Sequence, residues 1–230
     1  MKITCDIQMP GETLLPPSAE PLPPEGIPPD EAWNVMPPVN PIFTEQTHFT
    51  FSGRGMNSRL AQAKWVNEPD FFFSSQFGGG KGIARAESPI WQVSNSQAPL
   101  PDAWEGDDCY FLSSRLLKAL EDVASAAIEK VPMRIEDHNG NTISDDHFIV
   151  DIIRHHAAID WANSQVTYVR FGSGPPVSSP GLTRMLPNLP DDLTIFRDTH
   201  QRSSVYVRRD VKDIITKMRP KFRGIHFGGA

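Results

Sequence analysis

Apolar positions follow two different spacings along the second half of this chain. Short β-prone runs predict strands at 109–112, 131–135, 165–170, 193–196, 203–207 and 224–227. After Ser113, apolar residues recur at helical spacing, and the Ser113 hydroxyl can cap that helix by accepting a hydrogen bond from its first turn. Residues 210–218 predict a second amphipathic helix, whereas the apolar run 147–153 fits either a strand or a helix.

Two stretches, 110–120 and 206–215, share one plan of strand, cap and helix. We expect these two units to pack their helices on one sheet. Asn139-Gly140 is a typical hairpin turn. Strand-rich segments joined by short turns dominate, and the regular strand–helix alternation of a parallel sheet is missing. The sequence therefore predicts an α+β fold, with a mostly antiparallel sheet and a few packed helices.

The first 100 residues differ in composition from the rest of the chain. Eleven of the 22 prolines lie between residues 10 and 41, where they remove backbone donors and favour an extended polyproline II path. Residues 42–100 mix short β-prone runs with a glycine run at 77–82. We therefore predict two parts: a proline-rich segment with a small mixed subdomain at 1–100, and an α+β domain at 101–230.

Composition and net charge exclude several classes of protein. The 230 residues are 39% apolar and 22% charged, which is typical of a globular protein. The net charge of −6 argues against a general nucleic-acid binder. No segment approaches the roughly 20 apolar residues of a membrane span, and the N-terminus lacks the pattern of a secretory signal. We therefore expect no membrane partner and a cytoplasmic location.

The charge is unevenly distributed along the chain. Residues 101–200 carry 16 acidic and 8 basic residues, a net charge of −8. Residues 201–230 carry 8 basic and 2 acidic residues, a net charge of +6. A solvated surface accounts for such biases, but an acidic middle region can also select basic protein partners and speed encounter with them.

Three residues have the spacing of a candidate metal site. His147, Asp151 and His155 follow one another at intervals of four, so on a helix they would share one face and could bind a metal. A small metal-dependent hydrolase is therefore the alternative function, although on a strand the three groups would lie too far apart. The glycine run departs from a phosphate-binding loop at two positions, and no serine or cysteine has the surroundings of a nucleophile. No motif argues for catalysis.

Five short motifs occur in a fixed order between residues 100 and 230. They are Leu100-Pro101-Asp102, the strand and helix at 111–120, Ile159-Asp160-Trp161-Ala162-Asn163-Ser164, Ile195-Phe196-Arg197 and Gly224-Ile225-His226-Phe227. In order and spacing they resemble a family of bacterial immunity proteins, the eleventh type catalogued among polymorphic toxin systems. One position departs from the pattern, since Phe222 stands where the family commonly has glycine.

The resemblance implies a protein that binds and neutralises a cognate toxin in the cytoplasm. Such toxins are often delivered by a type VI or contact-dependent secretion apparatus. The resemblance implies no enzymatic activity and no cofactor, and its implied partner is the toxin protein rather than nucleic acid. It transfers no binding residues, because the shared motifs are mostly core and turn positions.

Acidic residues and one tryptophan form the candidate toxin-binding surface. A toxin that attacks nucleic acid in the cytosol presents a basic cleft, which carboxylates would complement. Trp104 is the candidate aromatic anchor because it lies among these acids in a loop flanked by proline and glycine. The alternative is a buried Trp104 with acids that are merely solvated. The loops at 77–82 and 172–190 are the next candidates. The predicted site comprises Trp104, Glu105, Asp107, Asp108, Glu136, Asp137, Asp145 and Asp146.

Overall fold

The structure is a computed structural model of the 230-residue chain. It describes residues 2–4, 32–35, 46–61, 63–67, 88–95, 97–106, 109–164, 166–170, 176–180, 183–199, 201 and 203–229. Most of the proline-rich segment, the glycine run at 77–82, and Asp107 and Asp108 lie outside these residues.

The described residues form strands and two α-helices. In chain order the strands are β1 (Lys2–Thr4), β2 (Ala32–Val35), β3 (His48–Gly53), β4 (Lys64–Trp65), β5 (Ile90–Gln92), β6 (Ala103–Gly106), β7 (Cys109–Ser113), β8 (Ile128–Glu136), β9 (Thr142–Ile152), β10 (His155–His156), β11 (Val166–Arg170), β12 (Pro176–Pro180), β13 (Ile195–Asp198), β14 (Val205–Arg208) and β15 (Ile225–Gly229). The helices are α1 (Ser114–Ala124) and α2 (Arg209–Lys217). The ambiguous run at 147–153 is therefore part of a strand, β9. The predicted loop at 172–190 contains a strand, β12.

Three sheets organise these strands. The largest has the order β4-β5-β8-β9-β7-β6, the second β10-β13-β14-β3-β15, and the third β1-β2-β11-β12. Most of the pairings are antiparallel; β1–β2, β5–β8 and β10–β13 are parallel. The predicted α+β class, dominated by sheet, is confirmed. We call these the six-stranded, five-stranded and four-stranded sheets below.

Both predicted helices are present, and α1 begins at the predicted cap. The Ser113 Oγ accepts a hydrogen bond from Leu116 N at 3.3 Å, which satisfies one of the free N–H groups of the first turn. α1 buries Leu116, Leu117, Ala119 and Leu120, and α2 buries Val211 and Ile215. Neither of these two helices, among the residues described, is long and apolar enough to cross a membrane.

The two strand–cap–helix units do not share a sheet. β7 leads into α1 from the six-stranded sheet, whereas β14 leads into α2 from the five-stranded sheet. The expectation that both helices pack on one sheet is therefore wrong. The helices instead meet between the two sheets, where they bury one apolar cluster together with residues of β3, β7, β9 and β14.

Strand β7 of the six-stranded sheet is buried on both of its faces. Tyr110 and Leu112 of β7 point to the cluster that contains α1 and α2, while Phe111, between them, belongs to a second cluster with Trp91 and Trp104. Because successive strand residues point to opposite faces, this strand is apolar at every position from 110 to 112 rather than at alternate ones.

The boundary that we placed at residue 100 does not separate the sheets. β3 lies between β14 and β15, so a strand from the first part is internal to the five-stranded sheet. β5 likewise pairs with β8 in the six-stranded sheet. Described residues on both sides of residue 100 therefore share their hydrogen-bonded sheets.

Gly224, from the last of the five motifs, is required by a close approach of three chain segments. Its φ is +85°, and a Cβ atom built there would lie 2.1 Å from Ala103 O and 2.8 Å from Gly55 Cα. We expect Gly224→Ala to lower the free energy of unfolding by about 2 kcal/mol or more, measured by urea denaturation.

Gly140 provides the matched control for this substitution. Its φ is +82°, but a Cβ atom there would meet only Glu136 Oε2, at 4.0 Å. Gly140→Ala therefore tests the backbone conformation without the clash, and we expect it to cost about 1 kcal/mol. Equal losses in the two variants would contradict the role given to the close approach.

Candidate functional site

His147, Asp151 and His155 do not form a metal site in this structure. His147 and Asp151 lie on β9, four residues and therefore about 13 Å apart along the strand. His155 lies in β10, which belongs to the five-stranded sheet. Among the described residues no group of three His, Cys, Asp or Glu side chains could hold a metal ion. The geometric basis for the hydrolase alternative is therefore absent.

His147 and Asp151, the two residues of this trio that lie on β9, are both bonded within the interior of the fold. The His147 ring lies 3.0 Å from Ser144 Oγ through Nδ1 and 3.2 Å from Pro101 O through Nε2. Burial lowers the pKa of His147. Asp151 Oδ1 accepts a hydrogen bond from Arg197 Nη2 at 3.2 Å, and both side chains are buried.

Trp104 lies in the core, not in a loop. It belongs to β6 and has an exposed fraction of 0%. Its ring stacks on Phe111 at a centroid distance of 5.2 Å and on Trp91 at 5.5 Å. The loop placement predicted from the sequence is wrong, and the buried alternative describes Trp104. A partner has no access to this ring in the folded protein.

Of the three predicted acids that follow Trp104, the structure describes Glu105. Asp107 and Asp108 lie outside the described residues. The Glu105 side chain is exposed over part of its surface and accepts a hydrogen bond from Gly53 N at 2.6 Å. Partial burial raises the pKa of this carboxyl, and the Gly53 hydrogen bond opposes the rise. Glu105 therefore joins β6 to β3.

Two further acids stabilise the hairpin between β8 and β9. Glu136 is 9% exposed and pairs with Arg134 at 2.8 Å. Asp137 accepts hydrogen bonds from Asn139 N and Asn141 N at 2.8 and 2.9 Å, and these bonds, with one from the Asn141 side chain, lower its pKa. Both carboxylates therefore have partners within the hairpin.

Asp145 and Asp146 lie at an irregularity of the β8–β9 ladder and are exposed. One residue of β8, Arg134, lies opposite both of them, which is the arrangement of a β-bulge. A second irregularity follows at Ile143, a large apolar residue that is 37% exposed. We call Ile143, Asp145 and Asp146 the bulge patch. The sequence analysis did not single out Ile143, because its exposure follows from the irregular pairing of β8 and β9 and not from local spacing.

Among the described candidate acids, Glu105 lies apart from the others. Glu105 pairs with Tyr110, which pairs in turn with Val150 of β9. Asp145 is five residues from Val150, so Glu105 and Asp145 are separated by about 17 Å along the strand direction alone. The bulge patch lies near the hairpin end of the six-stranded sheet, and Glu105 lies toward the other end.

A groove between α2 and β15 was missed by the sequence analysis. Its volume is about 170 Å³. The residues that line it are Ile215, Thr216, Lys221, Phe222, Ile225 and Phe227. They come from a helix, the following turn and the last strand, so no single spacing in the sequence groups them. The available signal was Phe222, an aromatic residue between two basic ones.

The motif residue Asp102 holds the C-terminal part of the chain against the start of α1. Its carboxylate accepts hydrogen bonds from Ser113 Oγ at 2.8 Å and Arg223 N at 2.8 Å, and it pairs with Arg115 at 3.2 Å. The Arg115 guanidinium lies 4.1 Å from the centroid of the Phe222 ring. Asp102 therefore ties the start of α1 to the segment that forms one wall of the groove.

A second motif residue, Ser164, joins two irregular segments. Its Oγ donates to Asp160 O at 2.7 Å and accepts a hydrogen bond from Arg184 N at 2.8 Å. The Asp160 carboxylate accepts one from Asn163 Nδ2 at 2.8 Å. The motif residues described here thus have roles in turns and in the core, as the resemblance implied.

Comparison with known proteins agrees with this reading of the motifs. A family model described as "Immunity protein family (Imm11)" matches residues 28–230. The match extends well before residue 100 and includes β2, β3, β4 and β5. A search of curated proteins returned no match. Since the family model covers most of the sequence, the chain belongs to the Imm11 immunity protein family.

Proposed function

We propose that this chain neutralises a cognate bacterial toxin by binding it in the cytoplasm, so that the toxin's active site or its assembly is blocked. The family match over residues 28–230 carries the proposal. The toxin would be one delivered by a type VI or contact-dependent secretion system.

The bulge patch is the part of the predicted acidic surface that we propose as a toxin contact. Asp145 and Asp146 are exposed, and Ile143 beside them supplies an apolar contact that Trp104 cannot. Charged groups at the rim of an interface mainly set the association rate and specificity, while apolar anchors contribute more of the affinity. The excess of acids between residues 101 and 200 favours a basic surface on the toxin.

A rescue and co-purification experiment tests the function itself. The toxin encoded beside this gene is expressed alone and together with this chain. We expect growth to stop in the first case and to continue in the second, with the two proteins purifying as a complex. Lack of both rescue and complex formation would refute the proposed function.

Reversing the charge of the bulge patch should slow the encounter with the toxin. For Asp145→Lys combined with Asp146→Lys, we expect an association rate about tenfold lower at low salt, because steering by charge is lost. The difference should shrink at high salt, where screening is stronger. Stopped-flow mixing at several salt concentrations measures this effect.

The matched control changes the net charge by the same amount at another acidic pair. Asp191 and Asp192 are exposed, and Asp192 pairs with Arg154, just beyond the far end of β9. Asp191→Lys combined with Asp192→Lys should slow association less than the bulge-patch variant does. If both variants slow it equally, net charge alone steers the toxin and the bulge patch is not a contact.

A further inference from the structure

We propose that the groove between α2 and β15 receives an extended, acidic segment of the toxin, which adds to the free edge of β15. This inference rests on the function proposed above and names a second contact for the same partner. It concerns a basic and apolar surface, in contrast to the acidic bulge patch. Three observations carry it: the shape of the groove, the unpaired strand edge beside it, and the charges around it.

The groove offers apolar contacts that are open to a partner. Phe222, Ile225 and Phe227 are each half-buried and pack against the edge of the cluster formed by α1, α2 and the sheets. Thr216 is exposed on the same side of α2. Its volume of about 170 Å³ is close to that of a cavity that holds one benzene-sized group, so the groove has room for an apolar side chain of a partner.

The edge of β15 is available for pairing among the described strands. β15 is hydrogen-bonded to β3 on one side and is the last strand of the five-stranded sheet. An edge strand presents a row of free N–H and C=O groups, so an extended peptide can add to it as a further strand. Alternate side chains of that peptide would then point into the adjacent groove.

The charges around the groove select an acidic segment. Lys221 lines it, and Lys217 lies at the end of α2 beside it. At the other end of β15, Lys212 Nζ lies 3.6 Å from the centroid of Phe49, which pairs with Gly229. Within the described part of the chain, none of these three lysines forms an ion pair with a carboxylate. Carboxylates of a partner would complement them.

The groove and the bulge patch are close enough for one partner to cover both. Arg223 O accepts a hydrogen bond from Asp102 N, and Asp102 O accepts one from Ser113 N. Ser113 pairs with His147, the residue after the acid pair at 145–146. Four neighbouring backbones at about 4.8 Å spacing span about 14 Å. An interface of about 800 Å² per partner is wide enough to include both features.

Peptide binding tests the groove without the toxin. The probe is a short synthetic peptide in which aspartate alternates with valine and phenylalanine, and its control is the same peptide with lysine in place of aspartate. With isotope-labelled full-length chain, we expect the acidic peptide to shift the amide resonances of β15 and α2. Shifts elsewhere, no shifts, or equal shifts with the basic peptide would overturn the proposal.

Two variants test the groove with the toxin. We expect Lys221→Glu to weaken toxin binding about fivefold, since a favourable exposed charge contact becomes unfavourable. We expect Thr216→Tyr to weaken it about tenfold or more by filling the groove. Lys64→Glu, an exposed reversal on β4, is the control and should bind like the unmodified chain. Thermal unfolding checks that all three variants remain folded.

The outcomes separate this inference from the proposed function. If the unmodified chain binds the toxin and restores growth while both groove variants bind equally well, the groove proposal fails and the proposed function stands. If the unmodified chain neither binds nor restores growth, both fail. The competing occupant is the chain's own acidic segment at residues 5–31, which carries six acidic and no basic residues. Resonance shifts in residues 5–31 caused by Lys221→Glu without any peptide would assign the groove to that segment and overturn the proposal.

Discussion

Replacing Trp104 by alanine is expected to lower the free energy of unfolding by about 3–5 kcal/mol. The indole is 0% exposed and packs against Phe111 and Trp91, whose rings also contact each other, and the His147 ring lies at 5.3 Å. Its removal leaves a cavity in a cluster that covers one face of the six-stranded sheet. Urea denaturation monitored by far-ultraviolet circular dichroism measures the loss.

Trp104→Phe is the matched control, because it keeps an aromatic ring in the stack. The Trp104 Nε1–H has no hydrogen-bond acceptor among the described residues. Phenylalanine therefore removes a buried, unsatisfied donor as well as some volume, and we expect a loss of only about 1 kcal/mol. Toxin affinity at a temperature where each variant is folded should stay within about twofold. Unchanged stability with lost binding would instead make Trp104 a contact residue.

The elements that depend on local chemistry were predictable from the sequence. The Ser113 cap, the apolar repeat of α1 and the Asn139-Gly140 turn each depend on residues within a few positions of one another. α2 begins and ends within one residue of its predicted bounds. The α+β class follows from these local elements, because short strands and few helices leave few other arrangements.

The position of Trp104 was not predictable from its neighbours. Pro101 and Gly106 flank it and suggest a loop, but the segment pairs with β7 and so forms the strand β6. That pairing buries the indole and leaves Glu105 with a backbone N–H of β3 as its partner. Long-range pairing therefore overrode the local turn signals.

The candidate site was also predictable from the sequence in part. The acids are visible in the sequence, but the separation of Glu105 from Asp145 depends on the register of three strands. The exposure of Ile143 depends on an irregularity in the β8–β9 ladder, which sequence spacing does not encode. The groove brings Ile215 and Phe227 together through tertiary packing, so its lining has no local signature.

Replacing Arg197 by methionine is expected to lower the free energy of unfolding by about 3–5 kcal/mol. Arg197 closes the Ile-Phe-Arg motif, and its side chain is 2% exposed. Its Nε donates to Ile152 O at 3.1 Å and its Nη2 to Asp151 Oδ1 at 3.2 Å. Both acceptors lie at the end of β9, so this arginine joins the six-stranded sheet to β13 of the five-stranded sheet.

Most of the stability lost in Arg197→Met should come from the Asp151 carboxylate, which remains buried in this variant. Asp151 is 1% exposed and would keep a charge in the core without its cationic partner. Arg197→Met combined with Asp151→Asn should therefore recover about 1–3 kcal/mol relative to Arg197→Met alone. Equilibrium urea unfolding of the two single variants and the double variant gives the coupling between the two sites. Additive losses would show that the pair does not hold the two sheets together, and that Arg197 contributes by packing alone.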